Sequence, residues 1–328
     1  MMNENNELTF EQVLTSLFEN ENLPIHLIYR LSDLSPYEIA EFRKTWPTVG
    51  RERRVSITRH MVDISEESYL VNFDTVSRSL FEDEDAAVRL AALDVVWDST
   101  DTSLIPSILG ILQHDVDPDV RAGAARALAH YVLLGEWGEL EVIHTEPIVK
   151  VLMDEYERPD TSIQVKRAAL EAMAPAGKSR IEDFITDAYE SGPFELQLSA
   201  VFAMGNTADS RWLSILEDEF ENSSSEMRAE AARAAGAIGD SQIIDALQQL
   251  LVDEDIDVTL TAIHSLGQIG GERAMQILSN LSEDPDFEEF YDVIDEALDN
   301  MDWMAGEFDL LAYSQDEDDD LLDELRLN

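Results

Sequence analysis

A period of 31 to 32 residues runs through most of this chain, and a chain built that way has few folding options. Aligning the apolar residue that opens each alanine-rich segment gives Val88, Val120, Val165, Leu196, Met227 and Val258, at spacings of 32, 45, 31, 31 and 31. A weaker copy begins near Phe290. Self-similarity at such a period marks a repeat architecture, in which no single unit can bury its own apolar face and each must stack on its neighbours.

Each opening residue is followed four and eight positions later by small or apolar side chains. The sets are Val88, Ala92 and Val96; Val120, Ala124 and Leu128; Val165, Ala169 and Met173; Leu196, Ala200 and Met204; Met227, Ala231 and Ala235; Val258, Ala262 and Leu266. That spacing puts each set on one face of a helix. Alanine in the middle lets neighbouring helices approach closely. Gly205, Gly236 and Gly267 recur at 31 residues, as do Gly239 and Gly270, and all five are expected to end helices through left-handed caps. A second helix follows in each unit, carrying Leu216, Leu247 and Leu278. Asp85, Asp117, Ser225 with Glu226, and Asp255 with Asp257 precede the next opening residue, as N-caps and dipole partners do.

The segments DAAVRLAALDVV, DPDVRAGAARALA, SEMRAEAARAAGAIGD and SLGQIGG resemble the HEAT repeat family, over roughly residues 81–304. The short period is most similar to the phycobilisome-lyase-type HEAT-like repeats of bacteria. The resemblance implies an all-α, right-handed α-solenoid of about six to seven stacked hairpins. Arg89, Arg121 and Arg228, with Lys166, match the family's basic position and are expected to pair with turn aspartates of the next repeat. Gln197 and Thr259 break that ladder. Tetratricopeptide and ankyrin repeats have longer periods and signatures this chain lacks.

Residues 1–80 lack the repeat but show apolar residues at helical spacing in LTFEQVLTSLF and SPYEIAEFRKTW, and Ser35-Pro36 makes a good helix start. This part reads as a divergent helical cap, followed by a solenoid over 81–305 and an acidic tail over 306–328. The cap holds a basic cluster, Arg43, Lys44, Arg51, Arg53, Arg54 and Arg59, suited to neutralising nearby acids or docking an acidic segment. The 45-residue spacing contains an insertion near residues 134–145, whose Trp137 either faces a partner or packs back on its own repeat. The tail carries nine acids over 307–328 and a patch of Leu321, Leu322 and Leu325. It reads as a disordered, solvated tail, with docking as the alternative.

The formal net charge is −48, from 70 acidic and 22 basic residues. Such a field repels phosphate backbones and anionic lipids, so nucleic acid and membranes are disfavoured and basic partners favoured. Adaptation of a whole proteome to salt is the competing account, and only four of the 22 basic residues are lysine. The polar start of the chain and the absence of a long apolar run point to a cytoplasmic protein. With no cysteine, thiolate metal sites, disulfides and a cysteine nucleophile drop out.

No catalytic constellation emerges. Gly177-Lys178-Ser179 has the ending of a phosphate-binding loop, but the required first glycine is Ala172. Asp253, Asp255 and Asp257 begin like a calcium loop, yet positions six and twelve are Val258 and His264. Asp115, Asp117 and Asp119 fail likewise, with Val120 and Arg126. His26, His60, His114, His130, His144 and His264 are scattered, and none is followed by glutamate. The paired His-Glu motifs of the HEAT-like diiron hydroxylases are thus missing. No cofactor or metal is expected.

The resemblance implies that helices opened by Val88 and its equivalents line a concave surface. Residues two and six positions further on point away from the core. They are Leu90 and Asp94, Ala122 and Arg126, Arg167 and Glu171, Leu198 and Phe202, Ala229 and Arg233, and Leu260 and His264. This mixed row is the expected groove, with Phe202 and Arg233 as anchors. The reading is a non-catalytic scaffold or adaptor holding a protein or peptide. The alternative is a lyase-like or chaperone-like protein presenting a client or a tetrapyrrole pigment.

Overall fold

The computed structural model describes residues 8–301, which divide between two compact units, Met1–Phe184 and Ile185–Asn328. The tail expected over 306–328 lies outside the described residues. Among the described residues the regular structure is helical, with no strand, and no helix is long and apolar enough to cross a membrane.

The first unit contains α1 (Phe10–Glu19), α2 (Pro36–Thr45), α3 (Arg51–Glu67), α4 (Asp74–Leu80), α5 (Ala86–Val95), α6 (Ile105–His114), α7 (Pro118–Glu136), α8 (Val142–Glu157) and α9 (Ile163–Met173). Helices α3, α5, α7 and α9 stack in succession, and α4, α6 and α8 pack beside them as second helices of the hairpins. The 14 or so extra residues of the long repeat are mostly absorbed as helix. α7 has 19 residues and α8 has 16, leaving only residues 137–141 as a connection.

α10 (Ser179–Ser191) spans the division. The second unit then holds α11 (Phe194–Asn206), α12 (Leu213–Glu219), α13 (Ser225–Ile238), α14 (Ile244–Leu247), α15 (Ile256–Ile269) and α16 (Gly271–Ser282). Here α11, α13 and α15 stack in order. Phe290, Ile294, Ala297 and Met301 are buried, where the weaker repeat copy was placed.

The helical faces behave as the spacing requires. All six opening residues, with their partners four and eight positions on, are buried. Leu216, Leu247 and Leu278 on the second helices are fully buried. Burying a leucine-sized side chain contributes about 1.5–3 kcal/mol, so these rows dominate cohesion between hairpins.

The acidic turns are built for two tasks. Asp83, Asp115 and Asp253 accept from the backbone N–H two residues on, at 2.8, 2.9 and 2.9 Å. The following Asp85, Asp117 and Asp255 cap α5, α7 and α15 through their own side chains. The first aspartate of each pair also receives an arginine from the preceding stacked helix. Arg89 donates to both carboxylate oxygens of Asp115 at 2.7 and 2.8 Å, and Arg228 to both of Asp253 at 2.8 and 2.7 Å. Each also reaches back to its own turn, Arg89 to the Asp83 carbonyl and Arg228 to the Asn222 carbonyl.

Arg121 departs from this pattern and bonds the buried Glu155 of α8. At Lys166 the rung becomes a cation over the Tyr156 ring, 5.9 Å from its centre. Gln197 instead donates to the Tyr189 carbonyl at 3.0 Å, and Thr259 to the Leu250 carbonyl at 3.4 Å. One rung lies ahead of the recognised repeat. Arg54 on α3 binds both oxygens of Asp83 at 3.0 and 2.9 Å, and Trp46 Nε1 donates to the same carboxylate at 2.7 Å. Helix α3 thus packs on α5 through the same kind of arginine–aspartate rung as the repeat helices.

Three of the five glycines expected as caps have a different role. Gly239 and Gly270 do end helices, with φ of 73° and 67°. Gly205, Gly236 and Gly267 sit inside α11, α13 and α15 instead. A Cβ on Gly205 would lie 2.7 Å from the Ala234 Cα, and one on Gly267 would lie 2.9 Å from the Ala297 Cβ. One on Gly236 would meet Ser265 Oγ at 2.7 Å. These glycines are needed because neighbouring helices touch there, and the same 31-residue spacing conceals the difference.

Candidate functional site

In the first unit, the expected row opens onto two adjoining clefts. One, of about 770 Å³, lies between α3 and α5, with Val55, Val62, Leu90 and Ala91 among its apolar lining and Arg59 and Asp94 at its edges. The other, of about 360 Å³, is lined by Leu90, Ala122, Arg126, Gln164, Arg167 and Glu171, among others. Leu90 separates them, and its Cδ1 lies 2.5 Å from where a Gly123 Cβ would be. Six of the row residues, Leu90, Asp94, Ala122, Arg126, Arg167 and Glu171, thus line one trough built on α3, α5, α7 and α9.

The charges in this trough are unevenly matched. Arg51 is held by Asp85, and His60 Nδ1 sits 3.2 Å from Asp63. Arg59 and Arg126 are exposed and form no ion pair within 4 Å among the described residues. Asp94 is half-buried, with no hydrogen bond or ion pair there. Burial pushes its carboxyl above the usual range, Arg126 opposes that, and Glu66 of α3 adds to it.

In the second unit the row is more closed. Leu198, expected to face outward, is 8% exposed and belongs to the core. Phe202 is half-buried under the Arg233 guanidinium, 5.8 Å from the ring centre, and Arg233 also pairs with Glu230 of its own helix. Leu260 is half-buried and His264 exposed. Trp137, at the C-terminal end of α7 in the first unit, is 62% exposed, and Val142 and Ile143 beside it in the chain are 70% and 71% exposed.

Much of the basic cluster of the first unit is occupied locally. Arg43 donates to Ser79 at 2.7 Å, Lys44 pairs with Glu41 at 3.2 Å, and Arg53 reaches the carbonyl of Asn20. Of the aspartates that mimic calcium loops, Asp117 and Asp255 are helix caps and Asp115 and Asp253 are ladder acceptors. Among the described residues no group of three or more side chains is placed to hold a metal ion.

What sequence reasoning missed is the α3 wall of the trough. Ile57 and Met61 carry the four-and-eight spacing from Arg53, and both are fully buried. The signal was hidden because Arg53 stands where other repeats carry an apolar residue.

Stacked pairs of short helices joined by capped acidic turns define an α-helical repeat protein. The family model described as HEAT repeats matches residues 210–298. Residues 210–298 therefore carry HEAT repeats. No curated protein matches it. Similar solved structures include YibA of E. coli, at 16% identity and a TM-score of 0.45, covering 87% of this chain and 98% of that one. The complex of CpcE and CpcF of phycocyanin lyase from Nostoc sp. PCC7120 is 17% identical, with a TM-score of 0.42 and coverage of 85% and 96%. Human deoxyhypusine hydroxylase in complex with glycerol is 16% identical, with a TM-score of 0.33 and coverage of 89% and 96%.

Proposed function

We propose that the protein is a non-catalytic scaffold or adaptor that holds a protein or peptide segment along its stacked helices. The observation that carries this is the trough on α3, α5, α7 and α9. It combines apolar residues around Leu90 with the carboxylate of Asp94 and the guanidinium groups of Arg59 and Arg126, three charged groups with no ion-pair partner among the described residues. A purely solvated face has no reason to keep a carboxylate such as Asp94 half-buried, whereas an interface has charged groups that a partner completes. The row on the second unit, with Phe202 under Arg233, is a separate candidate surface.

The test is capture from native lysate with the full chain, read by mass spectrometry, against a variant carrying Leu90→Asp and Phe202→Gln. A thermal melt of the variant establishes that it is folded. One partner enriched by the parent and lost by a folded variant is the expected outcome. Equal capture by both would refute the trough assignment. Recovery of a bound chromophore absorbing visible light would favour a lyase-like role in its place.

A further inference from the structure

The scaffold reading leaves the chemistry of the partner open, and the cleft between α3 and α5 narrows it. Its floor is aliphatic, from Val55, Val62, Leu90 and Ala91. Its acidic end is Asp94, two residues from the start of the turn that follows α5, with Glu66 close by near the last residue of α3. The C-terminal ends of two helices therefore converge where the carboxylates lie, and carbonyl dipoles there add negative potential.

Of the cations on α3, Arg59 lines the cleft exposed and without an ion pair among the described residues, and others are committed elsewhere. Arg54 is turned to Asp83 and Glu84, Arg51 to Asp85, and His60 to Asp63. Arg126 faces Asp94 from α7 without reaching ion-pair distance. A carboxylate kept half out of water without a hydrogen bond is costly in isolation and is satisfied by a cation arriving with a ligand. The whole-chain charge of −48 steers such a ligand inward.

We infer that this cleft binds a basic amphipathic peptide segment, with an aliphatic side chain seated over Leu90 and Ala91 and a lysine or arginine paired with Asp94. The inference rests on the scaffold reading and makes Asp94 a specificity-determining residue.

The probe is a fluorescein-labelled amphipathic peptide of leucine and lysine, with a leucine–glutamate peptide of the same pattern for comparison. Binding is measured by anisotropy with the full-length protein at physiological salt. Asp94→Asn should weaken the leucine–lysine peptide by about tenfold. Its melting temperature should not fall, because the substitution relieves a desolvated carboxylate. Glu272→Gln makes the same charge change at an exposed site of α16. It should shift affinity by less than about twofold, as a screened surface charge does. The leucine–glutamate peptide should not bind.

Equal losses in the two variants would reduce the binding to non-specific charge attraction and overturn the inference. So would a drop in melting temperature for Asp94→Asn alone, which would mark the residue as structural. A parent that captures a lysate partner through Leu90 but ignores Asp94→Asn would leave the scaffold reading standing and refute this one.

Discussion

Arg89 shows how much one side chain can organise in this protein. Its guanidinium grips Asp115 with two bonds while a third reaches the Asp83 carbonyl, so a single residue ties its own turn to the next. Both side chains of the ion pair are about nine-tenths buried. Arg89→Ala would leave a buried carboxylate without its cation, and we expect a loss of about 3–5 kcal/mol in urea unfolding. Arg273→Ala breaks an exposed pair with Asp245 and should cost less than about 1 kcal/mol. Asp253 supplies a pH signature. The Arg228 bond holds its carboxyl below the ordinary range, outweighing burial. Its stabilising contribution is therefore present above the unfolded carboxylate value of about 3.9 and lost as pH falls through the native value. Stability measured from pH 6 downward should decline more gently in Arg228→Ala than in the parent.

At the scale of elements, helix-to-helix contact decides which glycines matter. Gly205→Ala places a methyl against the Ala234 backbone and should destabilise by about 1–3 kcal/mol, despite alanine's better helix propensity. Gly110, inside α6, has nothing within 4 Å of a prospective Cβ. Gly110→Ala should therefore raise stability by about 0.5–1 kcal/mol. Thermal melts of the two variants should move in opposite directions. These elements also mark what the sequence made legible. The buried faces of α5, α7, α9, α11, α13 and α15, and the capping aspartates 85, 117 and 255, could be read directly, because periodicity and N-cap chemistry are local. Helix-interior Gly205 could not be told from cap-forming Gly239, since close approach depends on a neighbour remote in sequence. The α3 wall was hidden by one substitution, Arg53, at the opening position. Leu198 was placed on the groove by angular spacing alone, and its burial follows from packing that the spacing does not specify. Asp94 was named, but its lack of an ion-pair partner is a property of three helices together.

For the whole molecule, the surplus of 48 negative charges is a self-repulsion that the folded chain must carry. Each rung of the arginine ladder offsets it only locally. Screening should therefore help, and the melting temperature should rise between about 20 mM and 500 mM sodium chloride. A flat or falling salt response would mean that the repulsion is already balanced by arrangement. Binding of basic peptides should weaken over the same range, so salt separates the two consequences of the charge: stability gains where association loses.

The bond from Arg54 to Asp83 has a practical consequence for anyone dividing this chain. A cut near residue 80 would look natural from the repeat pattern, yet it would discard Arg54 and Trp46 and leave the Asp83 carboxylate, 1% exposed, facing water or nothing. A fragment intended to stand alone should therefore begin ahead of Trp46, and one that begins at the first recognisable repeat should aggregate or unfold.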